Sequence, residues 1–353
     1  MQTHRTIIAA ATAAFMTAGV SVAPAGAQPV AEFYKGTTMT LLIGFGVGGG
    51  NDSWARALAH HMGKHIPGNP TIVPQNMPGA GGLKVTNYLY NAAPKNGAVF
   101  GLVNRGIPLE PLFGGKGVNF DALKMNWIGS PDRDTTVCTA RADSAVRTMN
   151  DLRTKELVVG ATGSGADTAI YPEFLANLAR MKFKVIKGYK GTREIMLALE
   201  RGEVRGICAS FDSTARSSLY KEGKLRILFQ AAVTKDPHVP DAPLPAAFVT
   251  DSADRQALEL FLARVEVGRP FVAPPGVPAD RVAALRKAFM DTMNDPDFIA
   301  ETKKMELHVY AISGEKLTGI IEGIYKTPKD IVQRTAAALG ASDAPKAGGK
   351  KKR

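Results

Sequence analysis

Three hundred and fifty-three residues, 45% hydrophobic and 22% charged, make ordinary globular material that is long enough for two cores. This composition excludes a disordered chain, and two cysteines exclude a disulfide mini-scaffold. Lys+Arg 44 against Asp+Glu 32 gives a formal +12, but no basic stripe with interleaved aromatics appears, so no nucleic acid is expected as a partner.

The first segment reads as an export signal. Arg5 precedes the apolar, Ala-rich run Thr6 to Val20, and Ala25-Gly26-Ala27 supplies a small-x-small cleavage pattern. Residues 1–27 are therefore predicted to be removed, with Gln28 opening the mature chain. An uncleaved anchor is the alternative, disfavoured by Pro24 and the low content of bulky side chains. Export places the protein in the periplasm, where NAD(P)H and ATP are not working cofactors, so none is expected. No later run approaches the ~20 apolar residues of a spanning helix.

Strand-like and helix-like runs then alternate. Met39 to Ile43 is a short buried strand, followed by a Gly-rich turn. Trp54, Leu58 and Met62 form the stripe of a helix that opens at Asp52 or Ser53. Thr71 to Val73 is a second strand, Pro78 to Gly82 a second Gly-rich turn, Leu83 to Tyr90 a helix and Val99 to Val103 a third strand. Residues 157–160, 184–188 and 206–210 are further strands, alternating with helical stripes at Ile170/Phe174/Leu178 and Ile195/Leu199. Past Asp280 two helices follow, on Val282/Leu285/Phe289/Met293 and Leu317/Ile320/Ile321/Ile324. This rhythm predicts two α/β lobes built on parallel sheets covered on both faces. Residues 341–353 lack any hydrophobic period and read as a disordered basic tail. Setting aside Arg5 and the tail's +4 leaves the body near +7, a modest field for collecting anions.

Gly44-Phe45-Gly46-Val47-Gly48-Gly49 satisfies G-x-G-x-x-G between a strand and a helix. The dinucleotide reading fails because the next strand ends in Gln75 and Asn76, where an acidic residue should hold the ribose. What remains is a turn whose backbone N–H groups can approach an anion, with the helix N-terminus adding positive partial charge. The bland alternative is a tight packing turn. Gly160-Ala161-Thr162-Gly163-Ser164-Gly165 is a similar turn in the other half, where Ser164 or Asp167 could simply cap the helix. Facing each other across a cleft, the two turns would grip one small anion.

Several blocks carry a family resemblance: Phe33-Tyr34-Lys35-Gly36, GFGVGGGND (44–52) with Ala55-Arg56, VPQNMPGAGG (73–82), GATGSG (160–165), GYKGTREIMLALERGEV (188–204) and GRPFVAPPGVPADRV (268–282). In this order they resemble the Bug-type receptors of tripartite tricarboxylate transporters, from about Glu32 to about Leu339. The resemblance implies a two-lobed periplasmic binding protein of the type II class, closing on a small carboxylated solute and delivering it to a permease of one large and one small membrane subunit. The expected lobes are 28–130 with 230–340, and 131–229, with hinge strands near Trp127–Ser130 and Ile227–Gln230. Carried over, the first carboxylate-gripping loop is Gly48, Gly49, Gly50, Asn51 and Asp52, with Asp52 capping its helix and holding waters. The opposing loop is Thr162, Gly163, Ser164 and Gly165, and Asn76 sits in the block that borders the cleft. The chain departs from the family at Gly46 and Val47, where prolines are common, and at Arg205, where an Asp that contacts ligand amino groups is common. The second departure argues against an amino-acid ligand.

The residues themselves add Arg105, at the carboxyl end of the strand Val99 to Val103, where ligands of open α/β sheets sit. Its alternative is pairing with Glu110 or another acid. His60, His61 and His65 raise a zinc reading, but no HExxH and no nearby acid completes a set, so a solvated helix face and no metal are expected. Cys138 and Cys208 lie in strand-like runs of the second lobe, as a disulfide or as two buried thiols. The sequence shows no nucleophile–base pair. The expected function is a monomeric solute receptor. The alternatives are a receptor read by a two-component sensor kinase and an exported α/β hydrolase.

Overall fold

A computed structural model describes residues 28–133, 135–163 and 165–340, so the expected signal segment and basic tail lie outside the described residues. In chain order the elements are α1 (Val30–Tyr34), β1 (Thr38–Ile43), α2 (Gly50–Met62), β2 (Thr71–Asn76), α3 (Leu83–Asn91), β3 (Val99–Leu102), β4 (Asn126–Ser130), β5 (Thr136–Arg141), β6 (Leu157–Ala161), α4 (Asp167–Ala179), β7 (Phe183–Lys187) and α5 (Thr192–Arg201). The chain continues through β8 (Gly206–Ser210), α6 (Phe211–Ala215), α7 (Ser218–Lys221), β9 (Leu225–Ala231), α8 (Ser252–Val267), β10 (Phe271–Ala273), α9 (Ala279–Met293), α10 (Pro296–Lys304), β11 (Ile312–Ser313), α11 (Gly314–Ile324) and α12 (Lys329–Ala338).

Two sheets result, one in the order β11-β4-β10-β3-β1-β2 and the other β7-β6-β8-β5-β9. Each is mixed rather than all-parallel. β1 runs parallel to β2 and β3, and β6 runs parallel to β7 and β8, with helices in the connections between them, as in βαβ units. β10 and β11 run against the other strands of the first sheet and β5 against those of the second, and β5 and β10 are the strands that the chain enters on crossing from one sheet to the other.

Both faces of each sheet are covered. Leu41 and Ile43 of β1 join Trp54, Leu58 and Met62 of α2 and Phe289 of α9, whereas the intervening Leu42 points to Leu89 of α3 on the other face. In the second sheet Cys138 and Cys208 pack with Phe174 of α4, and Ile207 and Ala209 pack with Ile195 and Leu199 of α5. Cys138 and Cys208 lie opposite each other in the β5–β8 register and are joined as a disulfide.

The chain leaves the first sheet after Ser130 and returns at Gly268 to Pro270, just before β10. Ile227 to Gln230, expected as a hinge strand, lie within β9, which pairs with β5, and the expected boundary at 229/230 falls inside that strand. The helix α8 then spans both halves, with Phe261, Leu262 and Val265 in the second core and Leu260 and Val267 in the first. The two passages touch: Ser130 Oγ donates to the Asp132 carbonyl (2.8 Å) and accepts from Arg269 N–H (2.8 Å). Gly268, at φ +64°, has no room for a Cβ against the Asp132 carbonyl.

Candidate functional site

The carboxyl ends of β1, β2 and β3 face those of β6, β7 and β8 across one cavity of ≈ 680 Å³. Its walls are the loops after these six strands, and Arg269 reaches it from the passage before β10. Ligands of open α/β sheets sit at such strand ends because helices start there.

Three long helices begin at this cavity without a side-chain cap. The N-cap residues are Gly49 for α2, Ala166 for α4 and Gly191 for α5, and none makes a capping bond. Their first-turn N–H groups and the positive ends of their dipoles are left for an anion. The helix expected to open at Asp52 or Ser53 begins at Gly50. Asp167 does not cap α4 but turns to Arg105.

The first loop is held from behind by a polar lattice. Asp52 Oδ2 accepts from Gly48 N–H (2.9 Å) and Arg56 Nε (3.0 Å), and Asp52 Oδ1 accepts from Asn76 Nδ2 (2.8 Å). Asn76 Nδ2 also donates to the Phe45 carbonyl (3.0 Å), and Asn76 Oδ1 accepts from Arg56 Nη2 (2.7 Å). Burial alone would raise the Asp52 carboxyl, but the bonds from Arg56, Gly48 and Asn76 outweigh it and hold the group below its ordinary range. Gly48 sits at φ +85°, a conformation that favours glycine.

Two buried guanidiniums reach the cavity, each 3% exposed. Arg105 donates from Nε to Asp167 Oδ2 (2.8 Å) and from Nη2 to Thr136 Oγ1 (3.0 Å), linking the first sheet to the second. Arg269 donates from Nε to Asn51 Oδ1 (3.1 Å) and from Nη2 to Ser210 Oγ (3.1 Å), and it forms an ion pair with Asp132. Burial first, and then the charge of Arg105, press the Arg269 guanidinium well below its ordinary value. An anion in the cavity relieves that cost.

The two walls come into contact. A Cβ built on Gly81 (φ +64°) would lie 3.0 Å from the Gly165 carbonyl oxygen, and one on Gly50 would lie 3.5 Å from Ser213 Oγ. The two walls thus meet backbone to backbone at Gly81 and Gly165.

Of the expected residues, Gly49, Gly50, Asn51, Arg105, Thr162, Gly163 and Gly165 line the cavity. Gly48, Asp52 and Asn76 are absent from its lining and support the loop from behind, so Asn76 does not border the cleft directly. Ser164 lies outside the described residues. The Thr162 N–H, expected to face a ligand, is used by Thr168 Oγ1 (3.0 Å). Arg105 has an acidic partner, but it is Asp167 across the cavity rather than Glu110. Arg205 pairs with Asp143 (3.3 Å) at the surface. Residues that sequence reasoning missed include Arg269, Asn104 and the Tyr189–Thr192 loop. The only local signal for Arg269 was its place immediately before a short apolar run.

A family model described as the tripartite tricarboxylate transporter family receptor, TctC, matches residues 54–337. The Cupriavidus necator protein named "UPF0065 protein in gbd 5'region" is 28% identical over 344 residues, covering 95% of this chain and 98% of that one. Two solved structures share the fold. MatC from Rhodopseudomonas palustris, with bound malate, has a TM-score of 0.64 at 19% identity, covering 86% of this chain and 98% of its own. The R. palustris protein Rpa4515, with adipate, has a TM-score of 0.65 at 18% identity and the same coverages. Among the described residues no helix is long and apolar enough to cross a membrane.

Proposed function

The chain belongs to the tripartite tricarboxylate transporter receptor family, and we propose that it binds a small organic carboxylate between its two lobes and hands it to a permease of one large and one small membrane subunit. The observation that carries this reading is the convergence of three uncapped helix N-termini with Arg105 and Arg269 on one cavity. A carboxylate matches such a site because it accepts several N–H bonds at once and can pair bidentately with a guanidinium. The volume lies in the range of small-molecule sites. The malate and adipate of the two R. palustris structures are acids of this class. Residues 1–27 direct the protein to the periplasm, where it works as a monomer without a cofactor.

A thermal-shift screen against mono-, di- and tricarboxylates tests the proposal. A cognate acid at ~100 times its Kd adds about 2.7 kcal/mol to stability, a readily measured rise in Tm. Gly49→Val should abolish that rise at an unchanged baseline Tm, because Gly49 is extended and a Cβ there meets nothing within 4 Å. No response to any acid, or an unaltered response in Gly49→Val, contradicts the assignment.

A further inference from the structure

His60 and His61 lie in the last turn of α2, far from the solute cavity, and Glu301 lies on α10, which packs against it. Neighbouring helical residues point about 100° apart, so two consecutive imidazoles seldom address one atom. Here they do. His60 uses its near nitrogen, with Nδ1 2.8 Å from Glu301 Oε2, and His61 its far one, with Nε2 2.8 Å from the same oxygen. The sequence led us to expect a solvated helix face with no acid at hand. The structure instead buries His61, which packs edge-on against Phe298 (5.7 Å), and supplies the acid from 240 residues away.

We propose that His60, His61 and Glu301 form a binding site for one divalent cation of the zinc class. The three donor atoms lie within 4.8 Å of one another. Tetrahedral zinc ligands at about 2.0–2.1 Å from the metal sit roughly 3.3 Å apart, so the two 2.8 Å nitrogen–oxygen separations need open by about half an ångström, and the two nitrogens, within 4.8 Å of each other, settle to the same spacing. Two imidazoles and one carboxylate suit Zn²⁺, Cu²⁺ or Ni²⁺ and not Mg²⁺ or Ca²⁺, which prefer oxygen. The neighbouring side chains Lys64 and His65 are engaged elsewhere, both with Asp295, at 2.6 and 2.8 Å. The His60 side chain is 71% exposed, which leaves the outer coordination position to water. On binding, the metal takes the nitrogen lone pairs of both rings and one carboxylate oxygen, and any proton held on those atoms is released. It would staple α2 to α10, and the site does not depend on which solute the protein carries.

The test is equilibrium titration of the untagged protein with Zn²⁺ alone in a non-chelating buffer at pH 7.5, with Tm read in parallel. The expected result is one-to-one binding with a rise in Tm, at least tenfold weaker at pH 5.5 and unmoved by excess Mg²⁺. Both signals should disappear in Glu301→Gln and in His60→Ala, whose exposed side chain can be removed without opening the core. They should survive in His238→Ala, which removes the His238–His308 ring pair elsewhere on the surface. Failure of the wild type to bind one Zn²⁺, binding retained in Glu301→Gln, or binding lost only in His238→Ala would overturn the proposal.

Discussion

Arg105 and Asp167 form an ion pair that joins the two sheets across the cavity, with the guanidinium Nη2 2.7 Å and Nε 2.8 Å from one carboxylate oxygen. Arg105 is thus both a wall of the site and a contact that holds the lobes together.

Removing it strands a partly buried carboxylate. Arg105→Ala should destabilise the protein by about 1.5–3 kcal/mol, the usual range for a lost charge-assisted hydrogen bond. The double variant Arg105→Ala/Asp167→Asn should recover part of the loss, because no unpaired charge then remains. Urea midpoints of the two singles and the double close the cycle, and strict additivity would show that the pair is not coupled.

Contact between Gly81 and Gly165 makes a side chain at 81 an obstacle to closure. Gly81→Ala meets a left-handed φ, worth about 1–2 kcal/mol, and a carbonyl oxygen at 3.0 Å. Solute affinity should fall at least tenfold, and small-angle scattering should show a larger radius of gyration in the presence of ligand. Wild-type affinity with an unchanged radius would mean that the lobes do not meet there.

Asp52 sets the acid limit of the first loop. Its carboxyl lies lower in the folded protein than the ordinary 3.8, because its partners bond the ionised form. A depressed folded value contributes stability that is complete well above 3.8 and is lost as the pH falls through the folded value. Stability should therefore be insensitive to this group from pH 8 to 5 and decline below about 4. Asp52→Asn should flatten that decline, lower stability by about 1–3 kcal/mol at neutral pH and weaken solute binding, since Gly48 loses its charged acceptor. An identical acid profile in the variant would locate the loss elsewhere.

The parts of the site that were legible in the sequence are those encoded locally. Runs of glycine after a strand advertise a close-approach turn wherever they occur, and Gly44, Gly46, Gly49 and Gly50 of one such turn and Thr162, Gly163 and Gly165 of the other line the cavity. Arg105 was legible because the strand before it is apolar and ends two residues earlier. Arg269 was not, because it meets Asn51 from 218 residues away and nothing near position 269 indicates that neighbour. Glu301 was hidden from the histidines for the same reason. The six strands read from the alternating rhythm run parallel within their sheets, whereas β5, β10 and β11, which make the sheets mixed, were not among them, and β10 and β11 are only three and two residues long. Asp52 and Asn76 were named from the family resemblance, Asp52 as a residue that does not touch the ligand charge, and their orientation behind the loop depends on Arg56 completing the lattice.

The disulfide predicts a chemical result. Denatured, unreduced protein should show no free thiol, and reduced protein two. The Cys138–Cys208 bridge spans 70 residues of sequence, and closing a loop of about that length contributes roughly 4 kcal/mol by restricting the unfolded chain. Reduction should therefore shift the urea midpoint markedly downward. Two reactive thiols without reductant would refute the bridge.

Calorimetric titration of one bound organic acid against its fully esterified form tests the central claim most directly. The account predicts one-to-one binding of the free acid and no detectable binding of the ester, because the helix N-termini and guanidiniums lose the negative charge they surround. Comparable affinity for both forms would contradict it.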